Sequence, residues 1–246
     1  MYTYQILIEY DGSNFVGWQY QKNGLSIQEI LQKALSKFLK ENIVIVGSGR
    51  TDSGVHAIEQ SAHIETKKKI EKKKFLGGIN HYLANQPISL LDITKKDKKF
   101  HARFSAKKRT YKYVIVNRIS PLALNYNRAW HIRKKLNHKL MKKSLKFLKG
   151  THDFSTFRAA SCEAKSPVKT IKHVKLNKKK DTIEIIFTSR SFLQNQVRSM
   201  VGAIKYVGEK KWSLSLFKKK FKSKKRTNCA PPAPACGLYL QKVDYK

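Results

Sequence analysis

Acidic residues are scarce in this chain, with Asp and Glu totalling 16 against 52 Lys and Arg. An Asp inside a glycine-rich segment therefore stands out. Asp52 lies in Gly47-Ser48-Gly49-Arg50-Thr51-Asp52-Ser53-Gly54. Closely spaced glycines reach backbone angles that other residues avoid, so the segment predicts a tight loop, and loops at element ends often carry functional groups. Arg50, two residues earlier, would favour the ionised carboxylate and fix its direction. An oriented carboxylate can act as nucleophile or base. A turn Asp that bonds its own backbone is the plainer alternative, and the loop alone does not choose between them.

Two further segments interleave aromatic and basic residues: Phe100-His101-Ala102-Arg103-Phe104 and Arg109-Thr110-Tyr111-Lys112-Tyr113. Unstacked RNA bases stack on aromatic rings while Arg and Lys hold phosphates. Arg109, Tyr111 and Tyr113 share one face if the second segment is a strand; a half-buried strand with core tyrosines would read the same way. Trp18 and Gln19 suit the cover of a core edge better than a cleft. His56 could be catalytic, since histidine as a residue type changes charge near neutral pH, yet a loop histidine contacting backbone or phosphate is the plainer reading. Arg198 sits among apolar neighbours, where a positive charge usually needs an acidic partner. Asp52 is one of the few carboxylates that could supply it.

The elements that must position these groups are visible as patterns. Tyr4 to Tyr10 alternates as a strand and ends at Asp11-Gly12-Ser13. Ser26 to Lys40 predicts a helix, with Ile27, Ile30, Leu31, Ala34, Leu35, Phe38 and Leu39 on one stripe and Ser26 and Glu29 at capping-box spacing. Short strands are expected at Ile43 to Val46, Gln60 to Glu65, Ile88 to Thr94 and Lys99 to Phe104. A boundary near Ser105-Ala106-Lys107-Lys108 divides residues 1–105 from 106–246. Beyond it, strands are expected at Tyr111 to Val116, Thr182 to Thr188 and Leu238 to Val243, and helices at Leu136 to Leu148 and Phe192 to Val207. Each half mixes strands with one or two helices, which fits segregated α+β layers better than regular βαβ alternation.

The formal net charge of +36 attracts polyanions, and nucleic acid above all, because neutralising phosphates releases bound counterions. Lysine runs at Lys67 to Lys69, Lys72 to Lys74 and Lys178 to Lys180 also fit simple decoration of exposed faces, and Lys218 to Arg226 fits a solvated face or an RNA contact. Cys162, Cys229 and Cys236 form no Cys-x-x-Cys pair, and the eight histidines form no His-Glu-x-x-His set, so neither disulfides nor zinc are suggested. No apolar run approaches the roughly 20 residues that cross a bilayer. The first residues lack a signal-peptide pattern, and a cytoplasmic location is expected.

Taken together, ordered segments spread along the chain resemble the tRNA pseudouridine synthase A (TruA) family. They are Tyr10-Asp11-Gly12-Ser13-x-Phe15-x-Gly17-Trp18-Gln19, Gly49-Arg50-Thr51-Asp52-Ser53-Gly54-Val55-His56-Ala57 and Phe100-His101-Ala102-Arg103-Phe104-Ser105-Ala106. Later come Arg109-x-Tyr111-x-Tyr113, Gly150-Thr151-His152-Asp153-Phe154, Phe157-Arg158, Ser191-Phe192-Leu193, Val197-Arg198 and Pro231-x-x-x-x-x-Gly237-Leu238. Gln196 stands where a methionine is usual and Lys108-Arg109-Thr110 is less Arg-rich than usual; both departures bear on RNA affinity rather than chemistry.

The resemblance implies two similar ferredoxin-like halves with antiparallel sheets meeting at a central cleft, a homodimer and no cofactor or metal. The implied activity isomerises uridine to pseudouridine in the anticodon stem-loop, at tRNA positions 38, 39 and 40. Asp52 matches the family's nucleophile and Arg50 the arginine beside it. Tyr111 matches the tyrosine that stacks on the target base, Arg198 the arginine that pairs with the carboxylate, and Leu240 falls on a strand that supplies an apolar wall. The first half would thus carry the catalytic loop and the second the stacking and ion-pairing groups. An RNA-binding protein without catalysis would keep the charge but leave the Asp52 loop unexplained, and a metal-dependent nuclease would want clustered carboxylates.

Overall fold

The computed structural model describes residues 1–246. The chain divides into two compact units, Met1–Lys107 with Tyr239–Lys246, and Lys108–Leu238. Both are mixed α+β with mostly antiparallel pairing.

The first unit opens with strand β1 (Tyr2–Tyr10), in which Tyr4, Ile6, Ile8 and Tyr10 are all buried. Helix α1 (Ile27–Leu39) follows. The Ser26 side chain accepts from Glu29 N at 3.2 Å, and the apolar stripe buries Ile27, Leu31, Ala34 and Leu35. Strand β2 is only Val46–Gly47. The expected strand over Ile43 to Val46 is therefore mostly an extended lead-in, although Ile43 and Ile45 are buried. Strand β3 (His56–Thr66), helix α2 (Lys72–Tyr82) and strand β4 (Ile88–Lys96) complete the run. β1 pairs antiparallel with both β3 and β4, and β2 pairs antiparallel with β3. The sheet order is thus β4-β1-β3-β2, with a β-α-β-β-α-β connection. Residues 239–246 belong here too: Tyr239 pairs with His56 and Leu240 with Ala57, in parallel register.

Lys99 to Phe104 is not a strand. It is a turn in which Ser105 N donates to His101 O at 2.9 Å. Its alternating pattern arises because Phe100 packs on His63 and Tyr245 through its ring rather than through a ladder.

The second unit contains strand β5 (Lys108–Asn117), short strand β6 (Trp130–Ile132), helix α3 (His138–Leu145), strands β7 (Gly150–Asp153), β8 (Val168–Lys179) and β9 (Thr182–Ser189), and helices α4 (Gln196–Gly208) and α5 (Leu214–Lys222). β5, β9, β8 and β7 lie side by side in that order, all antiparallel, with β6 parallel to β5. α3 is shorter than its apolar pattern, because Asn137 caps it by accepting from Leu140 N at 3.0 Å. α4 starts four residues later than Phe192. Asn195 holds a left-handed conformation (φ 60°), and the Gln196 side chain accepts from Leu193 N at 2.8 Å, closing a turn ahead of the helix. The last strand, β10 (Leu238–Asp244), begins at the boundary between the units. No helix is long and apolar enough to cross a membrane.

Candidate active site

Asp52 is held by its backbone from several directions. Ser48 N extends the β2–β3 ladder by donating to Ser61 O at 2.7 Å. Buried Gln60 then braces the loop from β3: Ser48 Oγ donates to Gln60 Oε1 at 2.7 Å, and Gln60 Nε2 donates to Gly49 O at 3.0 Å. Thr51 is fixed twice, by Tyr10 Oη at 2.8 Å from its Oγ1 and by Trp18 N donating to its carbonyl at 3.0 Å. Asp52 itself bridges Gly17, and its carbonyl accepts from Val55 N at 3.1 Å. Gly17 is obligatory. Its φ is +118°, and a Cβ there would lie 2.6 Å from Thr51 O, so any side chain would be both strained and in collision. The Asp52 residue is half-buried and Arg50 is exposed.

The surrounding residues are scaffold. Trp18 is buried with its ring 6.1 Å from Tyr10, the structural role expected for it. His56 is 2% exposed and its ring stacks on Tyr239 at 4.7 Å. Gly12 N donates to His56 Nδ1 at 3.1 Å, and Asp11 Oδ1 lies 3.0 Å from the same nitrogen. Asp11 is independently engaged, its Oδ1 accepting from Ser13 N at 3.0 Å and Ser13 Oγ at 2.6 Å. Leu240 is 1% exposed and sits beside Ala57, five residues past Asp52.

In the second unit, Tyr111 is nearly buried, with its ring edge-on to Phe192 at 5.3 Å. Tyr113, on the same face of β5, is wholly buried; its hydroxyl donates to Pro234 O at 2.7 Å, and burial pushes its pKa up. It is a core residue, whereas Tyr111 retains some exposure. Arg109 is also buried and donates to Arg190 O. Arg198, in the first turn of α4, donates through Nε to Ala233 O at 2.8 Å and through Nη1 to Asn195 Oδ1 at 3.1 Å, while Ala233 N donates to Arg198 O at 3.0 Å. The Pro-rich segment thus fixes the direction of the guanidinium.

The structure therefore gathers Arg50, Asp52 and Leu240 in the first unit and Tyr111 and Arg198 in the second. It adds positioning roles for Gln60 and Asn195, which sequence patterns did not single out, and for Gly17 and Phe192, which appeared there only as members of the resembling segments. Gln60 could have been found as the one amide side chain in β3.

A family model described as tRNA pseudouridine synthase matches residues 6–105 and 145–246. The "tRNA pseudouridine synthase A" of Pelagibacter ubique (strain HTCC1062) is 60% identical over 246 residues, the full length of both chains. The protein of that name from Parvibaculum lavamentivorans is 43% identical over 246 residues, again the full length of both, and that from Ehrlichia canis is 46% identical over 243 residues, 98% of this chain and 99% of the relative. With both segments of the Asp52-bearing architecture inside these matches, the chain belongs to the tRNA pseudouridine synthase family of isomerases.

Proposed function

We propose that this enzyme converts uridine to pseudouridine at positions 38, 39 and 40 of the tRNA anticodon stem-loop, with Asp52 as its catalytic carboxylate. The observation that carries this reading is the fixed backbone of Asp52: Gly17, Trp18, Val55 and Tyr10 tie down the residues on either side and leave Asp52 half-buried in the loop between β2 and β3. Such preorganisation suits a group that must meet a reacting atom at one geometry.

The reaction breaks the bond between ribose C1′ and uracil N1, turns the base and joins C1′ to C5. C5 loses a proton and N1 ends with one, so the product is an isomer and no external reactant is consumed. Asp52 attacks C1′ as the uracil leaves, or removes a ribose proton to give a glycal-like intermediate; attack on the base is the third route open to a carboxylate there. The target nucleotide must first leave its stack, which costs a few kcal/mol. Stacking on Tyr111 offsets roughly 1–3 kcal/mol of that. The C5 proton goes to the Tyr111 hydroxyl or to an ordered water. Arg50 holds the RNA beside the catalytic carboxylate and Leu240 forms an apolar wall, while Arg198 is the arginine that the family resemblance assigns to that carboxylate.

The same reading takes each half as ferredoxin-like. The β4-β1-β3-β2 order of the first unit and its β-α-β-β-α-β connection support this, as does the run β5, α3, β8, β9, α4 in the second. The enzyme works as a cytoplasmic homodimer with tRNA as its partner and without a cofactor. The test is release of tritium from tRNA labelled at uridine C5. Wild type should release it. Asp52→Asn should bind tRNA but lose release by at least about 10²–10⁴-fold, the span expected when a positioned proton-transfer group is removed. Full activity in Asp52→Asn would end the assignment.

A further inference from the structure

The turn over residues 100–105 is held more firmly than a surface connection needs. Ala102 N donates to His63 Nδ1 at 3.2 Å, Arg103 N to His101 Nδ1 at 3.2 Å, and Tyr245 Oη to Ala102 O at 2.9 Å. His101 N donates to Ser105 Oγ at 3.1 Å. What this bracing presents to solvent is Phe104, 71% exposed. Its ring lies 4.3 Å from His101 and 5.7 Å from the Arg103 guanidinium. The braced turn holds this exposed ring in place with an imidazole and a guanidinium beside it, which makes it a ready stacking face.

The end of β4 that leads into the turn is cationic. Lys96 Nζ sits 5.7 Å from the Phe100 ring of the same turn, and Lys95 Nζ 4.9 Å from the Tyr2 ring. Tyr2, Lys95 and Lys96 line an open depression of about 440 Å³ together with Lys67 and Lys98, and no carboxylate lines it. Glu41, which accepts from Thr66 Oγ1 and Lys67 N, and Asp97, which accepts from Lys99 N, lie near its rim, against the four lysines that line it. The depression borders the far end of β3, roughly 33 Å from His56 at about 3.3 Å per residue, which is on the order of one duplex turn. It is therefore distinct from the Asp52 loop within the same unit.

We propose that this face of the first unit is a second RNA-binding site, in which the lysine-lined depression takes backbone phosphates and Phe104 stacks on an unpaired base outside the target uridine. Aromatic face, flanking cations and a preorganised turn are the combination that holds unstacked nucleotides. A protein partner docking on Phe104 would have to carry enough negative charge to meet Lys95, Lys96, Lys98 and Arg103, which the RNA substrate does already. The inference rests on the tRNA reading above.

The test measures tRNA binding and tritium release for Phe104→Ala, Phe104→Leu, Phe104→Trp and the Lys95→Ala/Lys96→Ala double variant. Loss of one stacked base should weaken binding about 5- to 150-fold. Phe104→Ala and Phe104→Leu should both show it, with the change in KM rather than kcat, and Phe104→Trp should restore binding. The double lysine variant should flatten the dependence of log affinity on log salt by about 1–2, the slope carried by two phosphate contacts. If Phe104→Leu binds tRNA like wild type, stacking is excluded and apolar docking takes its place. If the salt slope is unchanged, the depression holds no phosphate. Wild type inactive on tRNA would instead overturn the functional reading, a different outcome from active wild type with indifferent variants.

Discussion

The two units position their proposed site residues by different means. In the first, Asp52 rides on a loop with little regular structure, and its geometry comes from backbone and side-chain hydrogen bonds reaching in from β1, β3 and the Gly17–Trp18 segment. In the second, Tyr111 lies within β5, paired with Phe187 on β9, and Arg198 lies in the first turn of α4. The loop has no ladder of its own, so each brace is individually costly to lose. The strand and helix would stay in place with several contacts removed. A nucleophile that must meet one atom gains from many specific ties, whereas groups that hold a whole nucleotide need only a rigid platform.

The comparison breaks most sharply at Gly17. Gly17→Ala forces a side chain into φ +118° and against Thr51 O. The strained backbone alone costs about 1–3 kcal/mol, and the collision adds to it. The expected outcome is a clear fall in melting temperature together with loss of tritium release. Unchanged stability would show that the loop adapts and does not depend on this approach. In the second unit, Arg198→Lys keeps the charge and removes the fork that reaches Ala233 O and Asn195 Oδ1. Hydrogen bonds from a charged donor contribute about 1.5–3 kcal/mol. The loss should fall on kcat/KM, by one to two orders of magnitude, with little change in the folded structure by circular dichroism. Equal activity in Arg198→Lys would mean that charge alone suffices there.

Gln60→Leu tests the brace rather than the loop. It leaves the Gly49 carbonyl without its amide donor and Ser48 Oγ without its acceptor, each buried or nearly so. The expected cost is about 1–3 kcal/mol, read as a shift in the urea midpoint at unchanged m-value. A neutral result would place the loop's rigidity in Tyr10 and Trp18 alone.

These residues also mark where sequence was readable. The tight loop around Asp52 was legible because its glycine spacing is a local signal; that signal alone left a turn Asp equally open, and the catalytic reading of Asp52 came from the family resemblance. Gln60 and Gly17 act through partners 11 and 34 or more positions away along the chain, and no local pattern reports that. Helix α2 was hidden for a different reason. Its first turn holds three lysines and no acid, the reverse of the usual dipole match, and only Phe75 and Ile79 are buried. Gly77 and Gly78 in its interior look like breakers, yet Gly78 is where the Phe38 ring of α1 comes so close that a Cβ would lie 2.0 Å from it. The glycine is kept by helix–helix packing. Strand β8 was masked by its lysines and by an irregularity in pairing between Ile171 and His173, which breaks the period-two pattern. The Phe100 to Phe104 turn imitated a strand, since its aromatic residues serve side-chain packing instead of alternating across a sheet.

His63 links the turn to β3 and gives the smallest expected effect. It is 7% exposed, and burial lowers its pKa below the ordinary 6.5, with His101 adding to the shift and Glu65 opposing it. Its Nδ1 accepts from Ala102 N, which needs the unprotonated ring. The unfolded chain takes up this proton at a higher pH than the folded one, so its linkage favours unfolding as pH falls. The stabilisation is fully present above pH 6.5 and lost as pH drops through the lowered folded value. Urea unfolding should therefore show stability falling below pH 6.5 in wild type and falling less in His63→Gln, whose amide oxygen can accept from Ala102 without titrating. Parallel curves for the two proteins would show that some other group governs the acid side, and that the turn is held by Tyr245 and Ser105 rather than by this imidazole.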